Sequence, residues 1–325
     1  MARVMLGIVS VLLLSVACDT SNEPSSGPIG NNTVDLIVTV LGSGTPIPSP
    51  TQFGTAILVE AGEEYLLFDC GRGCTTRLAQ LDQALITRVT HLFITHLHSD
   101  HIVGVDDLWL NGWTQGRNIP LEIWGPEGIH QMMASMRDAF AFDIHRRHTD
   151  GLPATQEGIA DAFTELLDDG VVFFRNGVTV TAFKVDHATV KPAWGFRVDY
   201  KNRSVMISGD TTVTESLYTY GKGADVILQE VISPLMTTYL KNNFTPKQVA
   251  KVLSYHTEAK DAGDVFRESE PRLAVYYHTG TSERSTRPLL AETREVYDGR
   301  LEVSHDLFQI RIGDAVTTHN MSIRN

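Results

Sequence analysis

Directly behind the apolar run THLFIT (90–95), the chain reads HLHSDH, three histidines and an aspartate within the six positions His96 to His101. Ordinary packing has no use for such a set. Neutral imidazoles and a carboxylate are the borderline ligands that zinc prefers. A strand ending at Thr95 lets the chain turn so that His96 and His98, two apart, face the same way. Asp100 and His101 then fall on the next turn and can face a second metal about 3.5–4 Å from the first. HxHxDH is therefore half of a two-metal site, and the fold must bring the other half to it.

The candidates for that other half stand at strand ends downstream. His187 follows VTVTAFKVD, Asp210 follows VMIS in the tight turn Ser208-Gly209-Asp210-Thr211, and His278 follows LAVYY. Each one alone reads as core filler, helix cap or local hydrogen-bonding group. All three together, added to HxHxDH, read as ligands gathered at one sheet edge.

From Val34 onward strands and helices alternate. VDLIVTVLG (34–42) and a hairpin turning at Ala61-Gly62-Glu63 are expected strands, as are 90–95 and 121–125. Helical spacing covers 74–85, 102–113 and 129–140, and 143–170 is less regular. Two hairpins follow, around Asn176-Gly177 and Lys201-Asn202. The last third alternates strand and helix (ADVILQEV, TPKQVAKVLSY, LAVYYH, RPLLAETREVY) and closes with strands to about 312. No repeat or linker interrupts 34–325, so one α/β domain with two face-to-face sheets and outer helices is expected there.

The first residues read as targeting rather than fold. Arg3 is the only charge before an apolar run from Val4 to Ala17, shorter than the roughly 20 residues of a membrane-spanning helix. Its end, Leu14-Ser15-Val16-Ala17-Cys18, resembles a bacterial lipoprotein signal with Ser15 where leucine is usual; plain secretory cleavage is the alternative. Residues 1–17 are thus an expected signal peptide, Cys18 an expected lipid attachment point, and 18–33 a flexible tether. An exported protein follows, periplasmic or at the cell surface, touching a membrane only through that lipid. Cys70 and Cys74 in DCGRGC are either a disulfide or two small buried thiols, the second being the expectation.

Charge narrows the partners. Lys plus Arg total 27 against 39 Asp plus Glu, a net charge of -12, which disfavours a dedicated nucleic-acid binder.

HxHxDH, His187, SGDT and the late His278 resemble the metallo-β-lactamase superfamily, whose fold is an αβ/βα four-layer sandwich; the resemblance runs over 34–312. LGSGTPIPS (41–49) and FDCGRG (68–73) are similar to the branch containing ribonuclease Z and the arylsulfatase-like hydrolases. The resemblance implies two zinc ions, replaceable by manganese or iron. His96, His98 and His187 would hold one ion, Asp100, His101 and His278 the other, and Asp210 would bridge them. LQEV (228–231) matches the acidic motif of ribonuclease Z at Glu230, and YHTEAKDAG (255–263) places His256 as proton donor to the leaving group, oriented by Glu230. Asp100 would also accept a proton from the attacking water. HSDHIVGVDDLWLNGW (98–113) and 124–147 look arylsulfatase-like, and the long basic arm of ribonuclease Z is missing. The expected function is hydrolysis of small anionic sulfate or phosphate esters by a metal-bridging hydroxide, with ribonuclease Z-like tRNA processing as the enzymatic alternative and a metal-binding lipoprotein as the non-enzymatic one. Asp143, His145, Arg146 and Arg147 would line an anion pocket or form a surface cluster, and relatives often form homodimers.

Overall fold

The computed structural model describes residues 34–151, 154–280 and 283–321. The expected signal peptide, Cys18 and the tether lie outside the described residues. Residues Asn32–Asn325 form one compact unit that contains every element below.

The first half builds β1 (Val34–Gly42), β2 (Ala56–Ala61), β3 (Glu64–Phe68), α1 (Cys74–Leu81), α2 (Leu85–Arg88), β4 (His91–Phe93), α3 (Ser99–Ile102), α4 (Val105–Thr114), β5 (Glu122–Gly125), α5 (Ile129–Ala139), α6 (Ala141–Thr149) and β6 (Phe163–Glu165). The second half builds β7 (Gly170–Arg175), β8 (Val178–His187), β9 (Val190–Tyr200), β10 (Arg203–Ile207), α7 (Glu215–Gly221), β11 (Val226–Glu230), α8 (Pro234–Asn243), α9 (Pro246–Leu253), α10 (Ala259–Ser269), β12 (Leu273–Tyr277), α11 (Glu283–Thr293), β13 (Leu301–Val303), β14 (Phe308–Gly313) and β15 (Val316–Asn320).

One sheet has the order β15-β14-β1-β2-β3-β4-β5-β6, the other β13-β12-β11-β10-β9-β8-β7. Alternating apolar residues of both sheets meet between them, with Val38, Val40, Phe68, Phe93, Trp194, Phe196, Val275 and Ile310 in that core. A second core lies under α1, α4 and α5, around Leu78, Leu108, Trp109 and Met133. A third lies under α7, α10 and α11, around Phe183, Phe266 and Tyr276. Four layers, helix–sheet–sheet–helix, follow from these three buried seams, as expected for this fold.

Several boundaries differ from expectation. The helix expected over 74–85 ends at Leu81, because Asp82 is extended and its side chain accepts from the Ala84 N–H at 3.0 Å, starting α2 afresh. The helix expected over 102–113 is two helices. It breaks at Gly104, where any Cβ would stand 2.4 Å from the Gly71 carbonyl oxygen; this close approach ties the metal-loop helix to the β3–α1 turn. The stretch called less regular contains α6 and β6, and α7, α8 and β15 have no counterpart in the sequence reading. Cys70 and Cys74 are free, buried thiols, and the Cys70 Sγ donates to the Gly104 carbonyl at 3.2 Å.

Candidate metal centre and active site

Strands β4, β8, β10 and β12 all end at the same edge of the two sheets, so His96, His187, Asp210 and His278 converge there. His96, His98, His187 and Asp210 form one group of ligand-type atoms, and Asp100, His101 and His278 a second, each within 4.8 Å. Asp210 faces both groups. Its Oδ2 lies 3.3 Å from His278 Nε2, 3.5 Å from His101 Nε2, 3.9 Å from His96 Nε2 and 4.0 Å from His187 Nε2. Asp100 Oδ2 is 3.6 Å from His278 Nε2 and 3.8 Å from His101 Nε2. All seven residues named from the sequence are brought together.

These separations suit ions at the centre of each group. Donors about 2.0–2.2 Å from a tetrahedral zinc stand roughly 3.3–3.6 Å from one another. The buried atoms also demand partners. His96 Nε2, His101 Nε2, Asp100 Oδ2 and Asp210 Oδ1 have no hydrogen-bond partner, a costly state for buried polar groups unless a cation completes them. The donor set fits zinc.

A surrounding shell fixes the imidazoles in the ligating tautomer. His101 Nδ1 donates to Asp69 Oδ2 at 2.7 Å, His187 Nδ1 to the Tyr255 carbonyl at 3.0 Å, and His278 Nδ1 to the Gly44 carbonyl at 2.7 Å. With the proton held on Nδ1, Nε2 keeps its lone pair toward the site. Asp69 also accepts from the Thr95 backbone N–H at 2.8 Å and sits at φ 57° to do so. Sequence reasoning noticed FDCGRG only as a motif and missed Asp69 as a supporting residue. The available signal was a lone Asp at a strand end ahead of a glycine turn.

Electrostatics divide the site. Burial holds His96, His98 and His187 below the ordinary histidine range, so they are neutral, as ligation requires. Burial also opposes charge on His101 and His278, but the Asp210 carboxylate outweighs it and raises both. Asp210 in turn is held well below the carboxylate range by His278 and His101, against its own burial. The half of the site around Asp100 and Asp210 thus calls for positive charge.

Glu230 ends β11 and lies 3.2 Å from His256 Nδ1. Its other oxygen accepts the backbone N–H groups of Thr211 (3.1 Å) and Thr257 (3.0 Å), which locks the carboxylate in place. Burial lowers the His256 pKa, but the Glu230 charge and hydrogen bond overcome this and lift it to about 9. The His256 ring stands 5.2 Å from that of His187, beside the first ligand group.

A cavity of about 400 Å³ opens onto these groups. His98, Asp100, Asp210, Glu230, His256 and His278 form its polar floor. Thr45 to Pro48 make one wall, and Met236, Tyr239, Phe244 and Tyr255 the other. Among the described residues, no lysine or arginine lines it. Asp143, His145, Arg146 and Arg147 do not line it. They lie on α6, which buries no residue; Arg147 pairs with Asp143 and Arg146 with Asp150, each at 2.7 Å. Asp143, Arg146 and Arg147 thus form a surface charge cluster, while His145 lines a separate hollow with Arg137 and His148.

Comparison with known proteins fixes the family. The model of the family described as Anti-Pycsar protein Apyc1 matches residues 36–242. Ribonuclease Z of Mycobacterium marinum is 31% identical over 285 residues, spanning 85% of this chain and 98% of that protein. The chain belongs to the ribonuclease Z and Apyc1 branch of the metallo-β-lactamase superfamily. As a member of that branch it is a metal-dependent hydrolase acting on ester bonds.

Ribonuclease Z of Mycolicibacterium gilvum is 30% identical over 288 residues, with 86% and 97% of the two chains covered. Human tRNase Z, short form, superposes with a TM-score of 0.62 at 25% identity over 85% of this chain and 98% of that one. The metallo-β-lactamase fold protein YhfI of Bacillus subtilis reaches a TM-score of 0.64 at 18% identity, covering 84% and 98%. PqqB of Methylobacterium extorquens, solved with zinc bound, shares the fold at 16% identity and a TM-score of 0.58, covering 85% and 100%. These relatives favour the ribonuclease Z alternative and give the arylsulfatase-like assignment no support. The segments that suggested it, 98–113 and 124–147, build α3 to α6 and bring only His98 and Asp100 to the cavity.

Proposed function

We propose that the chain is a dinuclear zinc phosphodiesterase acting on small, singly charged diesters that carry an apolar group. The observation behind this reading is the cavity: about 400 Å³, apolar-walled, without lysine or arginine among the described residues, and floored by the two ligand groups and His256. Zinc held by His96, His98, His187 and Asp210, and by Asp100, His101 and His278, would supply Lewis acidity, lowering the pKa of a water toward about 7 and offsetting charge on the ester oxygens. Asp100 and Asp210 cancel half the charge of two divalent ions. With a hydroxide formed from the attacking water counted as well, one positive charge would remain, which suits a monoanionic diester better than a dianionic monoester.

The residues divide the remaining work. Asp210 lies between the two ligand groups and sets their spacing. Asp100 Oδ2 faces the same space and can take the proton of an attacking water. His256, protonated and oriented by Glu230, gives its proton to the departing oxygen. The walls exclude bulk water and hold the apolar part of the ester. Among the described residues, no serine or cysteine stands on the cavity floor, so direct attack by water is the consistent route.

A second reading, ribonuclease Z-like cleavage of tRNA, draws on the 31% identity to curated ribonuclease Z. The net charge of -12 and the missing basic arm weigh against it. Export through residues 1–17, with a lipid on Cys18, belongs to the small-diester reading and rests on the sequence of that segment alone. The test is hydrolysis of bis-p-nitrophenyl phosphate, p-nitrophenyl sulfate and a tRNA transcript with a 3′ extension, side by side. The small-diester reading expects the first to dominate. Faster turnover of the transcript would replace it with the second reading, and sulfate cleavage alone would reject both.

A further inference from the structure

The α8–α9 hairpin is unusual in this acidic chain. Residues Pro234 to Tyr255 contain Lys241, Lys247 and Lys251 and no aspartate or glutamate, although the whole chain carries a net charge of -12. The hairpin is sharply specified. Ser233 caps α8 and accepts from the Met236 N–H at 3.2 Å; Thr245 and Gln248 form a capping box on α9; a proline follows each cap. Yet its interior is small, because Leu240 is the buried residue of α8 and Val249 that of α9.

What the hairpin shows to solvent is apolar and basic together. Leu235 is 42% exposed, Tyr239 38% and Phe244 44%. Phe244 also lines an open hollow on the hairpin with Lys241, Pro246 and Val249. Lys247 and Lys251, four apart, share one face of α9, and Lys251 Nζ lies 5.1 Å from the Tyr255 ring. Lys241 shares a second hollow with Glu258 and Glu292, so the positive charge of the patch rests chiefly on Lys247 and Lys251. Exposed aromatic and aliphatic side chains beside lysines are the composition of an interfacial surface.

We propose that this hairpin is a docking surface for an anionic lipid bilayer. Charge complementarity carries the choice of partner: it is a basic, acid-free segment on an acidic protein. A nucleic acid would use the lysines but gains little from Leu235 and Phe244, whereas a bilayer uses both. No helix among the described residues is long and apolar enough to cross a membrane, so the contact is peripheral. Because Tyr239 and Phe244 also wall the cavity, docking would set the cavity mouth against the lipid.

The experiment is co-sedimentation of residues 32–325, zinc-loaded, with 100-nm vesicles of phosphatidylglycerol and phosphatidylcholine (1:1) and of phosphatidylcholine alone. Binding to the anionic vesicles that weakens with salt is expected, with little binding to the neutral ones. The variant Lys241→Gln/Lys247→Gln/Lys251→Gln should bind about a hundredfold more weakly, at roughly fivefold per lysine near an anionic surface. It should hydrolyse a soluble diester unchanged, which verifies its fold. Leu235→Ser/Phe244→Ser should also lose vesicle binding while its circular dichroism stays native. Failure to bind anionic vesicles, equal binding to both vesicle types, or binding insensitive to the lysines would overturn the proposal. So would lysine-dependent binding to a 20-nucleotide RNA without vesicle binding. None of these outcomes bears on which ester is cleaved.

Discussion

Asp69 and His101 stand 2.7 Å apart, carboxylate oxygen to ring nitrogen, both buried beside the candidate metal centre. The bond spans 32 residues of chain and joins the end of β3 to α3. Because Asp69 also holds the Thr95 N–H, one carboxylate sets both the exit of β4 and the orientation of a ligand. Removing it in Asp69→Ala should weaken zinc binding by about 10–100-fold. Competition against a chromogenic chelator measures this, and unchanged affinity would reduce Asp69 to a turn-former.

His256 and Glu230 make a claim about rate rather than metal. His256→Ala should keep its zinc and lose about 10²–10⁴ in kcat. The loss should be larger for an alkyl leaving group than for p-nitrophenolate, which departs without a proton. A merely structural role would slow both equally. His256 acts only when protonated, and its pKa is raised to about 9. The rate should therefore hold through neutral pH and fall as pH rises through that value. Glu230→Gln removes the carboxylate that raises it, so the fall should begin on the order of one unit or more lower.

The two candidate ligand groups were legible because their residues sit at strand ends in a dense motif. HxHxDH, His187, Asp210 and His278 each follow an apolar run whose direction fixes where they emerge. The supporting shell was not, since Asp69, Thr95 and the Tyr255 carbonyl act through long-range contacts that local spacing does not encode. α6 escaped notice because it buries nothing and so shows no apolar stripe. The boundary at Gly104 is set by the Gly71 backbone opposite it, a tertiary contact invisible to helical periodicity. The arylsulfatase-like segments bring only His98 and Asp100 to the cavity, whose walls come from 45–48 and 236–255, so they carry little information on the ester.

At the far end of the sheets His91 gives a separate test. It lies between Trp124 and Phe173, with ring centroids at 5.9 and 4.8 Å, and Arg175 Nη1 donates to its Nε2 at 2.8 Å. Burial, with help from Arg175, lowers its pKa from 6.5 to about 4. Between those values the unfolded chain binds the proton and the folded chain does not. Stability from this residue is thus fully present above about 6.5 and is lost as pH falls toward 4, by up to about 3 kcal/mol. Urea unfolding of metal-free protein should show a shallower acid loss for His91→Phe than for the parent. Equal slopes would contradict the assignment.

The apolar wall makes a prediction about binding. Tyr239→Ala removes ring surface that an aryl or alkyl group of the diester would cover, at about 25 cal/mol per Å². KM for bis-p-nitrophenyl phosphate should rise by roughly tenfold with kcat little changed, the pattern of uniform binding loss. A fall in kcat with constant KM would place Tyr239 in the chemical step instead.

Zinc titration of the metal-stripped protein against diester hydrolysis tests the two-metal reading most directly. Bis-p-nitrophenyl phosphate turnover should climb with added zinc and level off at two equivalents per chain, and His278→Ala should bind fewer and remain inactive. Full activity at one equivalent, or two bound zinc ions without diester cleavage, would contradict it.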